Sequence, residues 1–101
     1  MPNPHFLVLA VAENNVEKLK QVIAQVGKSV IPALRFEHEM NILNLAIDQE
    51  SIQVVEFLAT YYQDDTTLVN HKYSEAGMQA IHQVMSLGHL RLIETVLGMG
   101  A

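Results

Sequence analysis

The sequence contains no cysteine, which excludes a disulfide framework, a zinc site built on thiolates and a thiol nucleophile. It is also poor in positive charge: six Lys and Arg stand against eleven Asp and Glu, for a formal net charge of −5. Nucleic-acid binding depends on clustered basic groups that displace counterions from phosphates, so a nucleic-acid partner is not expected. No apolar run approaches the roughly eighteen residues of a membrane span. The start, MPNPHFLVLAVAENN, lacks the positive flank of a signal peptide. The expectation is a soluble, intracellular and by default cytoplasmic protein with no membrane partner. G-x-S-x-G, P-loop and H-E-x-x-H motifs are missing too, so no enzymatic activity, catalytic residue or cofactor is expected.

What is present favours a packed domain. Half of the 101 residues are apolar and 17% are charged, enough buried surface to offset the entropy of ordering one domain. Three segments align without gaps: HFLVLAVAENNVEKLKQVI from His5, NILNLAIDQESIQVVEFLA from Asn41, and QAIHQVMSLGHLRLIETVL from Gln79. Their starts are 36 and then 38 residues apart. Each runs from an apolar stretch through a short polar break into a second apolar stretch. Val16, Leu19, Val22 and Ile23 correspond to Ile52, Val55, Leu58 and Ala59, and to Leu90, Ile93, Val96 and Leu97. That spacing places them on one helical face. The units therefore read as helix pairs, the first helix about nine residues long and the second about ten to twelve. Helices so short depend on stacking, and about three such units are the usual minimum.

Asn3 and Pro4 read as the cap and first turn of the opening helix, Asn41 caps the third helix, and Asn14 and Asn15 occupy the first break. Two connections, roughly residues 27–40 and 63–78, exceed a simple turn. Val30, Ile31, Leu34 and Phe36 should pack part of the first onto the stack. The second, with Leu68 and Val69 as its core contact, reads as an extended finger or hairpin.

The third unit, GMQAIHQVMSLGHLRLIETVLGMGA, resembles the ankyrin repeat, whose pattern runs G-x-T-P-L-H-x-A-A, then G-H, apolar positions and a closing G-A. Gly77, Ile81, His82, Gly88, His89, Ile93, Leu97, Gly100 and Ala101 match it in order, and Val69 with Asn70 resembles the family's V-N. Gln79 and Ala80 replace the capping T-P pair. Glu39, Asn44, Glu50 and Ser51 stand where the family has Gly, His, Gly and His. The resemblance implies an all-α solenoid of three helix-loop-helix repeats, about 4–38, 39–76 and 77–101, with fingers between them. It also implies a protein-binding scaffold.

Histidine invites a metal or catalytic reading, but the resemblance gives His82 and His89 a structural role, bonding backbone between helices and loops, beside the helix-ending Gly88. His5, His38 and His71 have no ligand spacing, and no metal site is expected. Glu37, His38 and Glu39 read as a solvated charge cluster. In ankyrin stacks the partner contacts the finger tips and exposed residues of the first helices. Carried over, this selects Met40 and Met78, then Ala12 and Glu13, Asp48 and Gln49, Ser86 and Leu87. From the finger it selects His71, Lys72, Tyr73, Ser74 and Glu75. Met40, Met78 and Leu87 are the apolar members that stacking should not need. The last helix carries no polar outer face. Its apolar end suits either self-association or a further domain, so the alternative to a free-standing binding module is a targeting or regulatory segment of a larger multidomain enzyme or effector.

Overall fold

Each helix pair turns on one residue with left-handed backbone geometry. The computed structural model describes residues 4–101, and among these the protein is all-helical. Its helices are α1 (Pro4–Ala12), α2 (Val16–Val26), α3 (Ile42–Asp48), α4 (Ile52–Tyr61), α5 (Thr66–Asn70), α6 (Ala80–Leu87) and α7 (Leu90–Gly98). Asn14 (φ 52°) separates α1 from α2, Glu50 (φ 53°) separates α3 from α4, and Gly88 (φ 68°) separates α6 from α7. These three residues share one position in the sequence alignment. Pro4 opens α1 ahead of the position equivalent to Ile42 and Ala80. The cap expected at Asn3 lies outside the described residues.

In the first and third pairs the residue after the turn caps the second helix. Asn15 Oδ1 accepts the Lys18 N–H at 3.1 Å and His89 Nδ1 accepts the Leu92 N–H at 3.4 Å. Ser51 has a different use: its hydroxyl donates to the Val11 carbonyl of the preceding pair. Asn14 Oδ1 also crosses the junction, accepting the Val54 N–H at 3.1 Å.

The pairs lie in series. α1, α3 and α6 form one layer, α2, α4 and α7 a second, and within each pair the two helices pack on one another. The middle pair is covered on both sides, and every residue of α3 from Ile42 to Ile47 is buried. One continuous core runs from Leu7 and Leu19 through Leu43, Ile47, Val55 and Leu58 to Val84, Leu92 and Val96. Where the series stops, equivalent positions are bare. Phe6 and Leu9, at the positions of buried Ile42 and Leu45, are exposed, as are Met85 and Leu97, at the positions of Ile47 and Ala59.

A polar clasp joins the second and third pairs. Asn44 Nδ2 donates to Gln83 Oε1 at 3.1 Å, and Gln83 Nε2 donates back to the Asn44 carbonyl at 3.0 Å. Asn41 and Asn44 exchange side-chain and backbone bonds as a capping box, which closes the start of α3. The remaining Asn41 amide donates to the Leu68 carbonyl at 2.9 Å. No buried side-chain polar atom among the described residues lacks a partner.

The connections follow expectation in part. Ile31 is buried, Leu34 and Phe36 are half-buried, and Val30 is exposed, so the first connection does pack on the stack through two 3-10 turns, Ile31–Ala33 and Glu37–Glu39. In the second, Leu68 and Val69 are buried, but they sit on α5 and not on a finger. Five residues are too few to show helical periodicity, and Asp65, which accepts the Thr67 N–H at 3.0 Å, is the local cap that starts the helix. The hairpin is confined to a bridge between Tyr73 and Met78.

Glu50 keeps a Cβ in a conformation that disfavours one, whereas Gly88 avoids the strain and has open space where a Cβ would stand. Glu50→Gly should therefore raise the unfolding free energy by about 1 kcal/mol, and Gly88→Ala should lower it by about the same amount. Urea melts of the two variants check this, and shifts of the same sign would contradict it.

Candidate functional site

Two successive fingers come together at the edge of the first-helix layer. The Ser74 N–H donates to the His38 carbonyl at 2.9 Å, and His71 Nε2 lies 2.8 Å from the Glu39 carbonyl. The second finger closes on itself through Tyr73 N–H to the Met78 carbonyl at 2.8 Å and Met78 N–H to the Tyr73 carbonyl at 2.9 Å. Positive φ at His38, Glu39 and Ser74 turns the tips outward. Between them lies a groove of about 660 Å3 lined by His38, Glu39, Ser74, Glu75 and Ala76.

Of the residues selected from sequence, Ser74 and Glu75 line this groove. Ala12, Glu13, Asp48, Gln49, Lys72, Ser74, Glu75, Ser86 and Leu87 are exposed. Tyr73 and Met78 are half-buried, and Tyr73 packs against the core while burial and the nearby Asp48 carboxylate raise its hydroxyl pKa. Met40 requires a correction. At 5% exposure it belongs to the core, because its N–H and C=O tie it to Glu37 and Phe36 and turn its side chain under the finger. His71 is half-buried, with one ring nitrogen taken up in holding the fingers together.

His38 and Glu39 line the groove although the sequence suggested only a solvated charge cluster. Their relevance depends on a contact 36 residues away, from His38 to Ser74, which local spacing cannot reveal. Two of the five residues lining the groove, Glu39 and Glu75, are acidic, and none is Lys or Arg. Glu13, Glu37, Asp48 and Glu50 are also exposed, with Glu13 paired to Lys18 at 2.6 Å.

His82 and His89 act on backbone. His82 Nδ1 accepts the Gln79 N–H at 3.1 Å, and Gln79 Nε2 donates to the Asn70 carbonyl at 2.9 Å, so α6 is tied to the end of α5. Among the described residues no group of three or more His, Asp and Glu is placed to hold a metal, and no helix is long and apolar enough to cross a membrane.

A separate group holds the first connection against α4. The buried Tyr62 donates its hydroxyl to the Lys28 carbonyl at 2.9 Å. Burial first, then the neighbouring Tyr61 and Asp65, push its pKa up to about 12. Comparison of the chain with protein-family models, curated proteins and solved structures returns no match.

The raised Tyr62 value fixes the direction of a pH effect. The neutral phenol is favoured in the folded state, so its stabilisation is complete below the ordinary value of 10.0 and is lost as pH rises toward about 12. Alkaline titration of the unfolding free energy should fall through this range. Tyr62→Phe should lose about 1 kcal/mol at neutral pH, with a shallower alkaline fall. An unchanged alkaline slope in that variant would assign the effect to another group.

Proposed function

We infer that the protein is an ankyrin-type binding module with no chemistry of its own, and that it engages a basic surface of a partner protein through its finger tips and the exposed ends of its first helices. One observation carries the reading: the groove between the finger tips is lined by the exposed Glu39 and Glu75, with no Lys or Arg among its residues. Beside it stand the repeated turn at Asn14, Glu50 and Gly88, the paired fingers, and the His82 and His89 contacts, all of which suit an ankyrin-type solenoid. Clustered charge of one sign steers encounter and selects partners by complementarity. Leu87, exposed beside Ser86, adds an apolar contact to the acidic strip.

Affinity capture with the whole chain, compared with the triple variant Asp48→Lys, Glu75→Lys, Leu87→Asp, tests this. All three side chains are exposed, so helicity should persist while partner recovery falls at least about tenfold. Undiminished recovery would place the binding surface elsewhere.

The third helix pair favours a second reading, contact through its outer face. Met85, Leu90 and Leu97 are 61%, 68% and 52% exposed, an apolar surface of the kind that marks association. The occupant is a second copy or a further domain. Light scattering should show a mass above the monomer that Leu90→Lys with Leu97→Lys returns to it; a monomer at every concentration leaves the face to a further domain.

A further inference from the structure

In a chain of net charge −5, one groove has two lysines and no carboxylate in its lining. It lies between α2 and α4, in the second-helix layer and away from the acidic strip. Its volume is about 540 Å3, and Lys20, Ile23, Ala24, Lys28, Phe57 and Tyr61 line it. The Phe57 and Tyr61 rings stack with centroids 5.1 Å apart and planes 18° from parallel. Lys28 Nζ stands 4.4 Å from the Tyr61 centroid and 5.7 Å from that of Tyr62, and Lys20 Nζ stands 5.8 Å from the Phe57 centroid.

An aromatic face positions an ammonium through its quadrupole without neutralising it. Among the described residues Lys28 makes no ion pair with a carboxylate, and Lys20 pairs with the exposed Glu17 at 3.4 Å. Lys28 is therefore available and Lys20 can exchange an exposed carboxylate for a ligand's, while both long side chains are already partly ordered, which reduces the entropy a ligand must overcome. Between them the floor is apolar: the buried Ile23, the exposed Ala24 and the ring faces. The neighbouring groove has Asp64 and Asp65 beside Lys28 and Arg35 and offers no such single sign.

We propose that this groove binds an acidic peptide segment whose carboxylates flank one apolar side chain. The carboxylates meet Lys20 and Lys28, and the apolar group lies on Ile23, Ala24 and the rings. Two cations around one apolar slot suit a peptide better than an anionic bilayer, which calls for clusters of several basic residues. This inference is independent of the acidic strip and survives its failure.

The test is fluorescence anisotropy with a fluorescein-labelled Glu-Glu-Leu-Glu-Glu peptide and the whole chain. Saturable binding is expected, weakening with salt. It should fall at least about tenfold in the Lys20→Glu, Lys28→Glu variant and severalfold in Lys20→Gln, Lys28→Gln, with helicity by circular dichroism unchanged because both side chains are exposed. Gln-Gln-Leu-Gln-Gln and Glu-Glu-Gly-Glu-Glu should each bind several times more weakly. The proposal is overturned by the absence of saturable binding, by lysine variants that bind as the parent does, by equal binding of the glycine peptide, or by phosphatidylserine vesicles that bind where the peptide does not.

Discussion

The structure depends on the complete burial of α3. Seven residues make a helix too short to persist alone, and ILNLAI offers water no polar face, so α3 exists only because α1 and α6 flank it and α4 lies behind it. A cavity left by truncating Leu43 or Ile47 would open at the centre of the series, with neighbours on each side unable to close it. Asn44 is the one polar side chain inside this helix. It is tolerated because its amide is bonded to both Gln83 and Asn41. An apolar residue at either end of that clasp would leave one atom of the other amide, Gln83 Oε1 or Asn44 Nδ2, buried without its partner, at a cost of the order of 1–3 kcal/mol. The clasp therefore fixes which face of the third pair meets the second, something that apolar packing alone specifies weakly.

The helix pairs were legible because their signals are local and repeat. Apolar spacing marks the buried faces, and the break falls where Asn14, Glu50 and Gly88 all adopt left-handed geometry. Glycine and asparagine announce such a turn, whereas glutamate does not; only alignment with its counterparts exposes Glu50. The exposed end of the third pair was legible because the last helix carries no polar outer face, and Leu90 and Leu97 are indeed exposed.

Residues whose state depends on distant contacts were not legible. Met40 looks like a free apolar residue ahead of a helix, but the turn at Phe36 to Glu39 folds it inward. The Asn44–Gln83 clasp spans 39 residues, and neither amide has a local reason to be buried. α5 is shorter than the window in which periodicity can be seen. The aromatic groove has the same character: Lys20 and Lys28 are ordinary surface lysines in sequence, and they gain meaning only when α4 brings Phe57 and Tyr61 beneath them.

The distribution of charge follows from the way the pairs stack. Packing consumes the apolar faces and a few amides, and it leaves the finger tips and helix ends free of structural duty. Glu39 and Glu75 line the groove between the finger tips. On the second-helix side, long lysine side chains can cover aromatic rings with their stems while their charges stay in water. Lys28 there belongs to two grooves of different character: with Lys20 it edges the aromatic groove, and with Arg35, Asp64 and Asp65 it lines the neighbouring one.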